Sequence, residues 1–354
     1  MSMDGQTSSP LVTVLMPIHN GEAFVADALK SILEQTFRDF EFLIIDDGST
    51  DESVKIIERY GDPRIRLVCN DERIALIRTL YRGLELARGK YVARMDADDV
   101  SLPERLERQV AFMEANPAVG ACGTWVTTIG DGDGSVWQYQ YPEGADDIRC
   151  RLLFHTPIVH PSVCIRRDVY ARHHFRFDEA YLHAEDYELW CRVSEVLPLA
   201  NLGSVLLRYR VHAGSVSRQH QAVQESTVRR IHRERLSRLR LTPTDEELFV
   251  HRWIVMDGPA GEALPQLDVG NWLVKLLRAN EKHGIYPRSA FEKTLGQFWL
   301  ATAYGALGAG RPALKAFMDS PLAHGVDFNK RIRLLAHAAK CSIRTRLGGA
   351  RLQS

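Results

Sequence analysis

The stretch Arg94-Met95-Asp96-Ala97-Asp98-Asp99 decides how the N-terminal part of this chain is read. An apolar run, Tyr91 to Ala93, leads directly into three acidic residues and then into a predicted helix start at Ser101-Leu102-Pro103. In an open α/β sheet, ligands bind in the crevice beyond the carboxyl ends of the strands, and a hard divalent cation there takes one or two carboxylates plus phosphate oxygens. Asp96 and Asp98, two residues apart in an extended segment, face one side. Acidic triplets also form solvated turns and helix caps, so the surrounding segments must decide.

Upstream, strand and helix patterns alternate. A strand over 11–16 precedes a helix with Val25, Ala28, Leu29, Ile32 and Leu33 on one face, and a second strand covers 41–45. Ser49-Thr50-Asp51 reads as a helix cap, followed by a strand over 65–68, a helix through Leu76, Leu80, Leu84 and Leu86, and the strand before Asp96. Short, nearly continuous apolar strands in this rhythm predict a parallel sheet covered on both faces. Downstream, Asp131-Gly132-Asp133-Gly134 predicts a hairpin turn, 156–166 an extended segment, 185–196 a helix and 205–210 a strand.

Beyond His220 helical patterns take over, with a basic stretch of Arg229, Arg230, Arg233, Arg235, Arg238 and Arg240. The expected organisation is a disordered start over 1–10, an α/β domain over 11–220 and a helical domain over 221–354. One helix-turn-helix unit surrounds Gly308-Ala309-Gly310, with no second copy at a fixed period, so a tandem array is not expected.

The 354 residues, 45% of them hydrophobic, suffice for a real core. Forty-five basic and 45 acidic residues balance, so no net field steers the chain toward nucleic acid. Cys69, Cys122, Cys150, Cys164, Cys191 and Cys341 stand among apolar neighbours without a C-x-x-C pair, as expected of buried thiols in a reducing cytosol. The first ten residues carry no apolar signal region, and no apolar run reaches the ~18 residues of a membrane span.

Two more strand ends carry polar groups, Pro17-Ile18-His19-Asn20-Gly21 and Asp46-Asp47-Gly48-Ser49-Thr50-Asp51. A carboxylate there accepts hydrogen bonds from a base N–H or ribose hydroxyls. Further on, His183-Ala184-Glu185-Asp186 opens a helix whose Leu189, Trp190 and Val193 suit a core. A carboxylate so held can serve as general base. Tyr209-Arg210-Val211-His212 then offers an imidazole after a strand as a nitrogen ligand.

In this order the segments closely resemble the family 2 glycosyltransferases of bacterial type, over about residues 11–217. Segments Ser101-Leu102-Pro103-Glu104-Arg105-Leu106 and His160-Pro161-Ser162-Val163 strengthen the resemblance. It implies the GT-A fold, a Rossmann-like, mostly parallel sheet with helices on both faces. It further implies that Pro17, Asn20 and Asp47 contact the nucleotide and Arg78 the diphosphate. Asp96 would serve the ribose or metal shell, and Asp98 and His212 would hold Mn²⁺ or Mg²⁺. Asp186 would be the base, with Glu185 beside the acceptor. The implied reaction is a single inverting displacement from a nucleotide-sugar donor of the UDP type onto a saccharide or lipid-linked acceptor, in surface polysaccharide or glycolipid assembly.

The chain departs from the pattern at Ala75, where glycine is common, at Tyr81, where asparagine is, and at His173-His174, where a glycine pair would let the backbone approach the donor sugar. A sugar-phosphate nucleotidyltransferase would need a Gly-rich, basic loop after the first strand, and Ile18-His19-Asn20-Gly21-Glu22 is not one. An inactive scaffold would have no use for Asp96, Asp98, Asp186 and His212. Near the C-terminus Ile332, Leu335, Ala336, Ala339, Ile343 and Leu347 make an apolar stripe, with Arg333, Lys340 and Arg344 on another face. Such a helix either packs on its own domain or lies on an anionic membrane.

Overall fold

Val12–Ile18 (β1) and Phe40–Asp46 (β2) are buried at every position, as a strand covered on both faces of a sheet must be. The computed structural model describes residues 9–130, 136–212, 220–255, 266–305 and 311–337. The remaining strands are Ile65–Cys69 (β3), Tyr91–Arg94 (β4), Val100–Ser101 (β5), Ala121–Gly130 (β6), Gln138–Tyr139 (β7), Cys164–Arg166 (β8) and Leu199–Val211 (β9). Among the described residues they form one sheet in the order β3-β2-β1-β4-β8-β6-β9-β5, with β7 paired to β6. The β3-β2-β1-β4 half is parallel. β8 runs antiparallel to both β4 and β6.

Helices are sorted onto the two faces by strand alternation. Val12, Val14, Met16 and Ile18 share a core with Val25, Ala28, Leu29 and Ile32 of α1 (Val25–Leu33), Ile57 of α2 (Ser53–Glu58), and Leu106, Val110 and Met113 of α4 (Arg105–Ala115). The opposite face sends Leu15 and Val92 toward Leu80 and Leu84 of α3 (Leu76–Leu86) and Leu189 and Trp190 of α7 (Glu185–Val193). Gly83 lets α3 approach closely, because a Cβ there would lie 2.3 Å from Leu15 Cδ1. The expected Rossmann-like, mostly parallel sheet with helices on both faces is therefore present; the chain also forms α5 (Ala145–Arg151) and α6 (Arg167–Arg172).

The chain divides into two compact units. The first runs to Ile148 and resumes over Thr156–Thr227, and the second joins Arg149–His155 with the chain from Val228 onward. The division thus falls inside the helix Gln221–Arg238, not ahead of it at residue 220. Its first part is tied back to the first unit by Gln224 Nε2 and Thr227 Oγ1, which donate to the carbonyls of His183 and Leu182. Segment 149–155, which sequence assigns to the first domain, joins the helical unit because Cys150, Leu153 and Phe154 pack with Leu236, Trp272, Leu276 and Phe298. That unit comprises the rest of Gln221–Arg238 and helices Asp245–Trp253, Gln266–His283, Arg288–Gly305 and Arg311–Asp319.

Other local expectations change. Ser101 belongs to β5 and α4 begins only at Arg105. Asp51 is no simple cap for α2, whose N-cap is Glu52. Its carboxylate instead accepts the amides of Ser53 and Glu22, joining the loops after β1 and β2. Cys69 is exposed, whereas Cys122, Cys150, Cys164 and Cys191 are buried. The predicted turn at 131–134, the Gly308-Ala309-Gly310 turn, Cys341, the disordered start over 1–8, and Ala339, Ile343, Leu347, Lys340 and Arg344 of the C-terminal stripe lie outside the described residues. Within 328–337, which is helical, Ile332 and Leu335 are exposed and Leu334 is fully buried.

Candidate active site

Parallel register brings the ends of β1, β2 and β4 to one edge, with Ile18 opposite Asp46 and Leu15 opposite Arg94. A cavity of about 840 Å³ opens there, lined among others by Pro17, Asn20, Asp47, Asp96, Asp98, Glu185 and Asp186. This volume lies in the upper part of the range for small-molecule sites.

At the β1–β2 end Asp47 is nearly buried, and its carboxylate is oriented by three donors. Asn70 Nδ2 and the Ile74 amide donate to Oδ1 at 2.7 and 2.8 Å, and the Ala75 amide donates to Oδ2 at 3.0 Å. Asn20 accepts the Thr50 amide on its side-chain oxygen at 2.8 Å and donates its own amide to Ser49 Oγ, locking the two loops together. Arg78 stands elsewhere. It lies on the solvent side of α3, paired with Glu179 at 2.9 Å and outside the cavity wall, while Arg73 lines the cavity.

In the centre, one oxygen from each of Asp96, Asp98 and Asp99 falls within 4.8 Å of the others. Arg94, nearly buried, donates to Asp96 Oδ2. His212 Nε2 lies 3.0 Å from Asp98 Oδ2, so β9 delivers the imidazole to the acidic loop. Arg210 holds that junction, its amide donating to Asp99 Oδ1 at 2.8 Å and its Nε to the Asp98 carbonyl. Phe24 packs beneath, 4.9 Å from the His212 ring and 4.6 Å from the Arg210 guanidinium. Burial, followed by the charges of Asp96 and Asp98, pushes the Asp99 carboxyl well above the usual carboxylate range, and its Oδ2 is a buried atom with no hydrogen-bond partner. A carboxylate cluster with an imidazole and an unsatisfied buried oxygen fits a hard or borderline divalent cation, Mg²⁺ or Mn²⁺.

At the start of α7, Asp186 accepts the Tyr187 amide on Oδ1 at 2.8 Å. Burial raises its proton affinity, opposed by that hydrogen bond and by Arg94. Glu185 is 7% exposed, and its Oε2 has no hydrogen-bond partner. Burial and the neighbouring Asp186 charge push its carboxyl up to about 7. Two adjacent acids with raised proton affinity in one cavity suit proton transfer.

His173-His174 does not reach this site. The pair closes the C-terminal turn of α6, where His174 has φ 52° and the Phe175 amide donates to the Tyr170 carbonyl. The backbone that approaches the cavity beside Glu185 is at His183, which has φ 63° and lines the wall. Two further residues belong to the site although their segments were read from the sequence without a role for them: His160, a cavity residue kept neutral by burial and by Arg94, and Asp99, third in the acidic run.

Residues 13–175 match the family described as glycosyl transferase family 2. The chain is 33% identical over 238 residues to an uncharacterized glycosyltransferase of Haemophilus influenzae, covering 64% of this chain and 74% of that one. It is 31% identical to the O-antigen biosynthesis glycosyltransferase WbnJ of Escherichia coli, covering 61% of this chain and 85% of the relative. Among solved structures, S. aureus TarS 1–349 in complex with UDP-GlcNAc aligns with a TM-score of 0.53 at 17% identity, over 82% of this chain and 87% of that 1–349 chain. At that identity the likeness is one of fold.

Proposed function

The chain belongs to the family 2 glycosyltransferases, and we propose that it transfers a sugar, with inversion, from a nucleoside-diphosphate donor of the UDP type to a hydroxyl of a saccharide or lipid-linked acceptor. The observation that carries this reading is the meeting of Asp47, Asp98 and Asp186 in one cavity. Asp47, fixed by three donors, takes the base or ribose, with Pro17 and Asn20 beside it. Arg73, rather than Arg78, offers its guanidinium to the diphosphate.

The acceptor oxygen bonds to the anomeric carbon, the bond from that carbon to the diphosphate oxygen breaks, and the acceptor's proton passes to Asp186. One base suffices, because the diphosphate is already a good leaving group. Asp98 and His212, with Asp96 alongside, would hold Mn²⁺ or Mg²⁺, which when bound offsets the charge developing on the leaving diphosphate. Glu185, whose carboxyl burial and the Asp186 charge push up to about 7, can in its protonated form donate a hydrogen bond to the acceptor. WbnJ is named for O-antigen biosynthesis and TarS was solved with UDP-GlcNAc, which supports surface-polysaccharide assembly and a UDP-sugar donor. The proposed location is the cytoplasm, at the inner face of the plasma membrane.

Asp186→Asn keeps the side chain's shape but removes the proton acceptor. Transfer from a UDP-sugar to an envelope glycolipid extract should fall about 100-fold or more, while UDP affinity by calorimetry stays near that of the parent. A variant retaining more than about a tenth of parental transfer would remove Asp186 from this role.

A further inference from the structure

The hairpin of β6 and β7 exposes aromatic side chains that the core does not use. Trp137 is 63% and Tyr139 47% exposed, although burying such rings is among the larger gains open to a folding chain. This exposure occurs on a firmly held backbone. The Thr128 amide donates to the Trp137 carbonyl at 2.8 Å, the Trp137 amide donates to Thr128 Oγ1 at 2.9 Å, and Trp125 Nε1 donates to the Tyr141 carbonyl. Trp137, Tyr139 and Tyr141 alternate along an extended segment, which places them on one face. The Tyr139 and Tyr141 rings stack with centroids 6.5 Å apart and planes inclined by 16°. Both rings line the cavity that holds Asp98, Glu185 and Asp186, whereas Trp137 is not part of its wall.

Sheet order gives the row its orientation. The loops assigned to the nucleotide follow β1 and β2, on one side of β4 and its acidic loop, and β6 with β7 lies on the other. A ligand reaching the acidic centre from the β6–β7 side meets aromatic faces, with the amides of Gln138 and Gln140 between them in sequence. No cation lies in the segment Val136 to Tyr141 to attract a phosphate. A pyranose ring offers the matching chemistry, an apolar face of C–H groups rimmed by hydroxyls. Burial holds the Tyr141 phenol up to about 12, so it remains a hydrogen-bond donor for such a rim.

Building on the glycosyltransferase reading, we propose that Trp137, Tyr139 and Tyr141 form a stacking platform for the acceptor saccharide. Its terminal ring rests on the two tyrosines inside the cavity and a further ring on Trp137 outside it, so the acceptor is an oligosaccharide of at least two sugars.

The test uses the labelled full chain, with UDP and Mn²⁺, on an array of one- to four-sugar fragments of bacterial surface polysaccharides. The parent should retain fragments of two or more sugars above single sugars. Tyr139→Ala and Trp137→Ala should each weaken retention about tenfold, with Tyr139→Phe close to parent. UDP affinity, measured separately by calorimetry, should be unchanged in all three. Retention by the alanine variants equal to the parent, or no retention by the parent, would overturn the platform. A parallel loss of UDP affinity would overturn it too, by assigning the rings to the nucleotide. A parent that fails to bind UDP at all would instead bring down the underlying transferase reading.

Discussion

Ala75 occupies φ 71° and ψ 161°, a region essentially reserved for glycine. What holds it there is Asp47, whose carboxylate accepts the amides of both Ile74 and Ala75. Ala75→Gly should therefore raise unfolding stability by about 1 kcal/mol, since relief of ~1–3 kcal/mol of strain outweighs the added freedom of the unfolded chain. Urea melts measure this, and an unchanged or lower midpoint would show that the alanine is not strained. At the acidic centre, Asp98→Ala should abolish the gain in UDP affinity that Mn²⁺ gives over EDTA in calorimetry, and His212→Ala should reduce it. Equal parental affinity in the two buffers would sink the metal assignment. The cavity positions of Pro17, Asn20, Asp47, Asp96, Asp98, Glu185 and Asp186 were legible because each sits at a strand or helix end, where chain order alone predicts a shared crevice. Arg78 was not, because α3 turns Leu76 and Thr79 to the cavity and so carries Arg78, one position short of Thr79, round to Glu179. Tyr139 and Tyr141 belong to a two-residue strand and its flank, with no periodicity to place them.

At the scale of elements, the βαβ rhythm fixed the parallel half of the sheet, since continuous apolar strands alternating with amphipathic helices admit few arrangements. Segment 149–155 escaped it. Its apolar residues are too few to show a period, and the partners they pack against lie far along the chain. Two buried histidines also anchor this segment. His251 Nε2 donates to the Leu153 carbonyl at 3.0 Å and its Nδ1 accepts from Trp272 Nε1 at 3.1 Å, while His232 Nε2 donates to the Phe154 carbonyl. That arrangement requires neutral His251, because a proton on Nδ1 would face the Trp272 N–H. Burial accordingly lowers its pKa to about 4, and lowers that of His232 as well. The unfolded chain then binds protons that the folded one refuses. Stability from His251 is complete above the unfolded value near 6.5 and is lost as pH falls toward 4, an effect of order 3 kcal/mol. Urea midpoints taken from pH 7 to pH 4 should fall more steeply for the parent than for His251→Gln. Parallel slopes would remove the histidine as the cause.

At the scale of the whole molecule the charges cancel, so any attraction to an acceptor-bearing surface must come from local features. Among the described residues no helix is long and apolar enough to cross a membrane. Helical segment 328–337 carries the features that attachment to a membrane surface would use. Leu334 is fully buried in the core of the helical unit, whereas Phe328, Ile332 and Leu335 are 67%, 45% and 41% exposed. These three stand at i, i+4 and i+7, one stripe of a helix, with exposed Lys330 and Arg333 nearby. Periodicity revealed the stripe in the sequence, but not which side of the helix the unit's own core would cover, and the core covers Leu334 instead. An apolar stripe with adjoining cations is complementary to an anionic lipid surface, where a lipid-linked acceptor would reside. The full chain should therefore co-sediment with phosphatidylglycerol vesicles at low salt and be released at high salt, where screening shortens the reach of the cations. Ile332→Glu combined with Leu335→Glu replaces two of the stripe's three residues at exposed positions, leaves Leu334 in place, and should abolish co-sedimentation without changing the thermal midpoint. Co-sedimentation of the double variant equal to that of the parent, or absent from both, would leave the stripe without a role at the membrane.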